Sequence, residues 1–478
     1  MKKLLKPKYI IIFGCLCLIL ASALVVSLTR PDKPTPERTV YLHGDFEYVV
    51  REDGRLEITK YIGTDTEINV PSAISGKTVA SIGTDAFSKS KIRTVYLGAF
   101  TETVGDYAFA ACTKLKEVSF SAETISIGRG AFADCTALEE IELSSGLTSI
   151  GEYAFSGCSA LKAAVIPEKV ISIGEGAYSG CLSLTSIDMA ASSLSIGASA
   201  FRGCERLTEL RDNGGIVSIG DLAFADCKAL VSVELGAGIE RLSHLAFEGS
   251  PKLASVSISP ENKNFEVIGS AVFDKSAAML LLLPRAAKTE VLTVPDYVRH
   301  IAPYALVGNQ SINTVSLPDG LLTIGVYAFD GCSKLKTVNI PKSVTDIGCY
   351  AFYGTEYYKS LTDEMTVVGD GVLIKYNTPI NSYGDYYKTE YTDVVMKDTD
   401  KGGRVPVGVA VTIPEGVTSI GEEAFRWCEK LTTITIPDSI TSIGYRAFSY
   451  CKNLTIHAHT GSYAEKYAKK NKINFVAE

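Results

Sequence analysis

One phrase of the sequence returns many times. Residues 149–167 read SIGEYAFSGCSALKAAVIP, and 23 residues further on the chain reads SIGEGAYSGCLSLTSIDMA. Thirteen copies begin with an Ile-Gly pair or a close relative, and nearly all uninterrupted steps are 23 residues: Ile82, Val104, Ile127, Ile150, Ile173, Ile196, Ile219, Leu242, Ile301, Ile324, Ile347, Ile420 and Ile443. Such a period is typical of a solenoid, in which each unit buries its apolar side against its neighbours.

Each copy divides into three predicted segments. In residues 335–341, LKTVNIP, apolar and polar residues alternate as in a strand with one buried face, and the proline ends the strand. The phrase V-T-S-I-G predicts a second short extended piece, with glycine where a side chain would clash. The phrase A-F-x-G-C predicts a helical or 3₁₀ turn that brings phenylalanine inward. We therefore expect a parallel sheet on one side and a phenylalanine spine within, with successive copies about 4.8 Å apart.

These residues carry a family resemblance. Residues 436–455, IPDSITSIGYRAFSYCKNLT, resemble the 23-residue leucine-rich repeat of BspA-like surface proteins, and the similarity extends over roughly residues 80 to 478. It implies an α/β solenoid with parallel strands over residues 81–478 and an N-terminal β hairpin cap at residues 40–80. It also implies a C-terminal cap near residues 456–478, a helix and then a strand. Such caps would cover the open ends of the core.

The repeat is interrupted twice. Hairpin inserts are predicted near residues 259–295 and 356–411, where EVIGSAVFDKSA and TVVGDGVLIKYN are similar to each other. The second insert also holds a group of tyrosines, among them Tyr383, Tyr386 and Tyr387. Exposed tyrosine offers a large contact area at low entropic cost, which would suit a protein or glycan partner. Alternatively, the tyrosines cover the hairpin and the edge of the coil.

Nine cysteines share one position in the repeat: Cys112, Cys135, Cys158, Cys181, Cys204, Cys227, Cys332, Cys428 and Cys451. A ladder of parallel rungs does not converge on one point as the thiolates of a zinc site do, and no C-x-x-C occurs. Ser250 and Thr355 take the position in two copies, which a packing role tolerates and a pairing scheme does not. We therefore expect free structural thiols and no bound metal. Cys349 lies off the ladder, and we expect it to be a partly exposed residue without a nucleophilic role.

The N-terminus differs from the rest. Four lysines within the first eight residues precede an uncharged run over residues 9–28, long enough to span a membrane as a helix. We expect residues 1–30 to form a transmembrane signal anchor with its lysines in the cytoplasm, so that the repeats lie outside the cell on a single-pass anchor. A cleaved signal ending near residues 21–23, which would secrete the chain, and a lipoprotein site at Cys15 are alternatives. Residues 31–39 are a proline-rich linker.

Two classes of function find no support in the sequence. The net charge of −7 argues against a nucleic-acid partner, since phosphate binding needs a concentrated basic face. The chain has five histidines and lacks H-E-x-x-H, G-x-S-x-G, P-loop and dinucleotide-binding motifs. His457 and His459 share one face of the final strand but lack a third metal ligand. We expect no enzyme activity and no cofactor.

The polar positions of L-x-x-V-x-L are where a partner could bind. In the first half of the array many are acidic, and the candidate partner-binding residues are Glu117, Glu139, Glu140, Glu142, Asp188 and Glu209. Later copies offer neutral residues instead. An acidic strip could attract a basic protein surface or weakly hold calcium, whereas the alternative is a solvated strand face.

Together these features predict a non-enzymatic binding scaffold at the cell surface. The resemblance implies protein–protein recognition or adhesion through the repeat array, with an extracellular or envelope protein, or a glycan, as partner. The alternative is a structural spacer, or an assembly dock, in the cell envelope. Repeat architecture alone does not name a ligand.

Overall fold

The chain winds into stacked coils, and most coils give one short strand to each of two sides of the stack. The computed structural model describes residues 39–348, 350–361, 365–369, 372–376, 396–398, 404–406, 409–421, 424–426, 428 and 431–478. The first side carries the strands of the Ser-Ile-Gly phrase, and the second side carries those of L-x-x-V-x-L. Sheets thus cover two sides where the sequence predicted one.

The N-terminal part of the array runs to the end of the first unbroken sheet. Its strands are β1 (Tyr41–His43), β2 (Phe46–Val50), β3 (Leu56–Tyr61), β4 (Glu67–Asn69), β5 (Ala73–Ile74), β6 (Lys77–Ile82), β7 (Thr94–Tyr96), β8 (Thr103–Val104), β9 (Glu117–Ser119), β10 (Ser126–Ile127), β11 (Ser149–Ile150), β12 (Ala163–Ile166), β13 (Ser172–Ile173), β14 (Ser186–Met189), β15 (Leu194–Ile196), β16 (Glu209–Arg211), β17 (Ile216–Ile219), β18 (Ser232–Leu235) and β19 (Arg241–Leu242).

The middle part contains the first interruption and three further coils. Its strands are β20 (Ser255–Ile258), β21 (Phe265–Ile268), β22 (Ala271–Asp274), β23 (Met279–Leu282), β24 (Val291–Thr293), β25 (His300–Ile301), β26 (Thr314–Ser316), β27 (Thr323–Ile324), β28 (Thr337–Asn339) and β29 (Asp346–Ile347). A short helix, α1 (Glu356–Ser360), follows, capped by the Thr355 side chain, which accepts from the backbone N–H of Tyr358.

The C-terminal part contains the second interruption and the last coils. Its strands are β30 (Met365–Val368), β31 (Val372–Tyr376), β32 (Met396–Asp398), β33 (Arg404–Pro406), β34 (Val409–Thr412), β35 (Ser419–Ile420), β36 (Leu431–Thr435), β37 (Ser442–Ile443), β38 (Thr455–Ala458) and β39 (Asn474–Ala477). The helix α2 (Tyr463–Asn471) lies between β38 and β39, with Ser462 as its N-cap.

The strand register pairs residues that occupy the same position in successive repeats. On the first side Ile127 pairs with Ile150 and Ile150 with Ile173, all in parallel. This twelve-stranded sheet runs from β1 to β19. On the second side β4, β7 and β9 form one sheet, β12 and β14 another, and β16, β18 and β20 a third. Because equivalent residues pair, each repeat position becomes a row that runs along the array.

Aromatic rings fill the centre of the stack, as the sequence predicts. Ring centroids of successive coils are 4.8 Å apart for Phe87 and Phe109 and 5.9 Å apart for Phe224 and Phe247. The members of this spine are Phe87, Phe109, Phe132, Phe155, Tyr178, Phe201, Phe224 and Phe247. All are buried, and burying each ring contributes about 2–3 kcal/mol.

The third side consists of tight turns where a helical or 3₁₀ turn was expected. In the coil of Ile150, Tyr153 and Gly157 have φ of 56° and 74°, left-handed values that no right-handed helix contains. The amide of Phe155 donates to the carbonyl of Ala177 in the next coil at 2.7 Å. Backbone hydrogen bonds therefore connect the turns of successive coils, as they connect the strands.

The first interruption is a three-stranded segment that lies between two hydrophobic cores. Strands β21, β22 and β23 are antiparallel, and β23 then pairs in parallel with β25 through Leu280 and Ile301. Val272 and Leu282 pack into the preceding core, whereas Phe273 packs into the following one. Because this three-stranded segment is buried on both faces, its last strand has the continuous apolar sequence MLLLL at residues 279–283.

The second interruption repeats this pairing. Strands β30 and β31 are antiparallel, and β31 pairs in parallel with β35, with Leu373 opposite Ile420. The similarity between the two inserts in sequence thus corresponds to a shared strand order. A third core, which includes Phe425 and Ile434, lies beyond it.

Different elements lie at the two ends of the array. At the N-terminal end β2 pairs antiparallel with both β1 and β3, and β3 then pairs in parallel with β6. Phe46 and Tyr48 of β2 pack against the core there. At the other end α2 buries Ala464 and Ala468, and β39 adds to β38 in parallel.

Candidate functional site: the acidic strand face

The second side exposes two rows of side chains. In β9, Val118 points into the core while Glu117 and Ser119 point outward, because successive strand residues alternate between faces. Ser119 is bridged in parallel to Glu142 of the next coil. That register places Glu140 beside Glu117, so the two carboxylates lie in one row on neighbouring coils.

The rows continue across the next strands. Val165 of β12 pairs with Asp188 of β14 in parallel. Val165 follows Glu142 by one repeat, and 50 % of its surface is exposed. Val165 thus lies beside one acidic residue, Asp188, and one repeat after another, Glu142. We call Glu117, Glu140, Glu142, Val165 and Asp188 the acidic strand face.

All six acidic residues predicted from the sequence are exposed, but two of them have cationic partners. Glu139 forms an ion pair with Lys162, which lowers the pKa of its carboxyl. Glu209 lies 2.9 Å from Arg211 on the same strand. Glu139 and Glu209 are thus paired with cations, and Lys162, whose pKa is raised chiefly by Glu139, also interacts with Glu140.

A carboxylate of this face changes the pKa of a neighbouring tyrosine. Tyr96 pairs with Ser119 across β7 and β9, and the nearby Glu117 carboxylate, followed by desolvation and then Glu67, raises the pKa of Tyr96. Lys116 and Lys162 flank the acidic residues on one side and act on Glu139. Lys162 also acts on Glu140, one of the outward residues.

The corresponding strands of the middle part are uncharged. Outward positions on β24, β26 and β28 hold Val291, Thr293, Thr314, Ser316, Thr337 and Asn339. Thr314 and Thr337 are register partners, as are Ser316 and Asn339. One backbone arrangement thus presents two surfaces of different chemistry, and the neutral one serves as an internal control.

An open depression extends the acidic region beyond what the sequence indicated. It is lined by residues at the ends of β18 and β20 and in the turns after β16, β18 and β20, including Glu234 and Glu261. Asp212 also lines it, but its carboxylate accepts from the backbone N–H groups of Gly214, Gly215, Ile216 and Gly236. Asp212 is therefore a structural cap. The only sequence signal for it is the turn phrase D-N-G-G after a strand.

The tyrosine cluster divides into two groups. Tyr357 and Tyr358 of α1 are partly buried against the second core, and Tyr357 meets Phe352 edge-on at 5.2 Å. These two rings cover the coil edge. Tyr383, Tyr386 and Tyr387, the predicted partner-binding tyrosines, lie outside the described residues.

The cysteine ladder is structural over the described rungs. All nine cysteines are free thiols, and eight are fully buried. The Phe132 carbonyl accepts from the Cys135 amide of its own coil at 3.2 Å and from the Cys158 thiol of the next coil, also at 3.2 Å. Burial raises the pKa of Cys227 and Cys332 to about 12, so neither thiol ionises at neutral pH.

Four rungs use other polar side chains, and sequence reasoning missed two of them, Ser90 and Asn309; the Ser90 hydroxyl lies 3.3 Å from the Cys112 thiol. The Ser250 hydroxyl donates to the Phe224 carbonyl at 3.0 Å, in place of a thiol. Asn309 holds the same position and donates to the carbonyls of Pro284 and Ala287. Thr355 donates within its own turn, to Phe352. Cys349 lies outside the described residues.

Other titratable side chains in the described part of the chain form separate pairs and not a common binding site. His457 lies 3.2 Å from Glu478, whereas His459 lies 2.6 Å from Asp438. Among the described residues, no group of three or more His, Cys, Asp or Glu side chains is placed to hold a metal ion. A cavity of about 50 Å³ at the first interruption is lined by His244, Glu248 and Arg285. Burial lowers the pKa of His244 and raises that of Glu248.

The described part of the chain contains no helix of the length and apolarity needed to cross a membrane. Residues 9–28, where the sequence predicts a transmembrane helix, lie outside that part.

Comparisons with known proteins address the repeats. A family model described as "BspA type Leucine rich repeat region (6 copies)" matches residues 80–208, 171–281, 285–378 and 409–469. No curated protein sequence matches the chain.

The solved structures that resemble the chain include three bacterial proteins. A leucine-rich cell surface protein from Faecalibacterium prausnitzii A2-165 is 23 % identical, with a TM-score of 0.52, over 92 % of this chain and 98 % of that one. A leucine-rich repeat protein from Bacteroides ovatus is 20 % identical, with a TM-score of 0.42, over 94 % and 100 %. The pneumococcal vaccine antigen PcpA is 17 % identical, with a TM-score of 0.43, over 93 % and 100 %. At this identity the first of these structures supports the solenoid fold alone.

Proposed function

The chain belongs to the family of BspA-type leucine-rich repeat proteins, and from that premise we propose that it is a non-enzymatic binding scaffold at the cell surface. It recognises a basic protein surface through the acidic strand face. The observation that carries this proposal is the 23-residue spacing of Glu142, Val165 and Asp188, in which Glu142 is bridged to Ser119 and Val165 pairs with Asp188.

The chemistry of this row suits a protein partner. Protein interfaces combine an apolar centre with a polar rim, and Val165 with carboxylates on both sides has that arrangement. Complementary charge speeds association and excludes partners of the same sign. Glu117 and Glu140, like charges in neighbouring positions of one row, would be relieved by a cationic side chain between them. A Lys- or Arg-rich protein segment with an aliphatic side chain fits this surface.

Location at the cell surface rests on the sequence of the N-terminus. The four lysines and the uncharged run at residues 9–28 favour a single-pass anchor with the repeats outside. Secretion after signal cleavage gives the repeats the same environment.

The test compares two triple variants of the full chain in binding assays with extracellular matrix proteins and with envelope extracts. One carries Glu117→Lys, Glu140→Lys and Glu142→Lys. The other carries Thr314→Lys, Ser316→Lys and Thr337→Lys on the neutral strands. Because charge complementarity is lost only in the first, we expect its affinity to fall at least about tenfold, and the affinity of wild type to fall with added salt.

Two outcomes would contradict this assignment. Equal binding by both variants would remove the acidic strand face from the interface. Loss of binding only on deletion of residues 376–404 would move the site to the tyrosine-containing insert. Absence of any partner that depends on the array would favour the alternative role, a spacer or assembly dock in the envelope.

A further inference from the structure

The N-terminal end of the array exposes the edge of a strand. Strand β1 is antiparallel to β2, with Tyr41 opposite Tyr48 and His43 opposite Phe46. Among the described residues β2 is its only strand neighbour. The outer backbone N–H and C=O groups of β1 therefore point away from the twelve-stranded sheet, and they form a template for one more strand.

The side chains at this edge are apolar. Val40 is 56 % exposed, Tyr41 45 % and Leu42 62 %. Proteins usually protect an edge strand with charged residues or proline. β1 has neither, with His43 as its single ionisable side chain other than tyrosine.

The chemistry of the edge limits what can cover it. Lipid offers no partners for backbone N–H and C=O groups. The chain's own preceding residues, PDKPTPER at 31–38, include three prolines, which have no N–H to give to a ladder. A second copy of the chain offers an identical strand, which in antiparallel orientation matches both the hydrogen-bonding groups and the apolar side chains.

We propose that β1 pairs with β1 of a second copy of this chain, antiparallel, to form a twofold dimer whose two first-side sheets join. A strand of three residues is about 10 Å long. Both chains therefore enter the dimer close to its axis, and two N-terminal segments can lead to one membrane. The contact is small compared with the roughly 1,200–2,000 Å² of a stable interface. The dimer is accordingly weak in solution, and a shared membrane would strengthen it through effective concentration.

The test traps the dimer in the full chain. In a background of Cys15→Ser, Cys17→Ser and Cys349→Ser, Leu42→Cys is oxidised and run on a non-reducing gel, with Val476→Cys on β39 as the matched control. Val476 is 44 % exposed and also lies on an edge strand. We expect a disulfide-linked dimer severalfold more abundant for Leu42→Cys than for Val476→Cys or the background alone.

Two further measurements identify the occupant of the edge. Hydrogen exchange of the β1 amides should slow as protein concentration rises, and Val40→Lys with Leu42→Lys should abolish this effect while the melting temperature stays unchanged. Dimer yields equal to the control would overturn the proposal. Protection that is independent of concentration would assign the edge to the chain's own N-terminal segment, and protection only with phosphatidylcholine vesicles would assign it to lipid; either result overturns the dimer. Because β1 and the acidic strand face are separate, the double-lysine variant keeps its binding to the basic partner even if the dimer is lost.

Discussion

At the scale of single residues, one repeat position is defined by hydrogen bonding as well as by size. The Phe132 carbonyl accepts both a backbone amide and the Cys158 thiol of the following coil. A hydroxyl at Ser250 makes the equivalent bond, and the amide of Asn309 reaches two carbonyls beside the first interruption. The repeat period alone predicted a buried thiol that forms no disulfide. The acceptor was not predictable, because it lies 26 residues earlier on another coil.

This account predicts an order among two substitutions at Cys158. Cys158→Ser keeps a donor for the Phe132 carbonyl, as Ser250 does naturally, and should lower the free energy of unfolding by less than about 1 kcal/mol. Cys158→Ala removes the donor and leaves a small void, which should cost about 1–3 kcal/mol. Urea unfolding followed by circular dichroism measures both. An alanine variant as stable as the serine variant would show that the thiol only fills space.

At the scale of the coil, glycine has two separate roles. In the Ile-Gly pair a Cβ on Gly174 would lie 2.5 Å from the backbone nitrogen of Glu152, so glycine is needed for close approach of the coils. In A-F-x-G-C, Gly180 has φ +74° and its Cβ would meet nothing closer than 3.8 Å. The sequence predicted the first role. It did not predict the left-handed residues, since Tyr153 adopts the same conformation as Gly176 and no local residue preference signals it.

Alanine should distinguish these roles. Gly174→Ala forces two backbones apart and should destabilise the fold by about 2–3 kcal/mol. Gly180→Ala carries only the left-handed penalty, about 1 kcal/mol, part of which is offset because alanine lowers the entropy of the unfolded chain. Thermal melting of the two variants is the measurement. Equal melting temperatures, or a lower value for Gly180→Ala, would contradict the assignment.

At the scale of the whole molecule, parallel strand register aligns equivalent repeat positions in rows along the array. The residues in the outward rows determine the chemistry of each surface. The fixed period predicted that exposed acidic residues would share one face, and Glu117, Glu140 and Glu142 do so. The same period places Lys162 one repeat after Glu139, so their ion pair was predictable from the sequence although it was not predicted. The period also did not single out Val165, an exposed apolar residue that pairs with Asp188.

The central claim, that the acidic strand face binds a partner outside the cell, is tested most directly by photocrosslinking on intact cells. A photoreactive residue replaces Val165 in the full chain, and in a second protein it replaces Thr337 on the neutral strands. We predict an adduct from position 165 that a membrane-impermeant reagent can label, loss of this adduct when Glu140→Lys and Glu142→Lys are added, and no adduct from position 337. Equal adducts at the two positions, or an adduct that only permeabilised cells expose to the reagent, would contradict the claim.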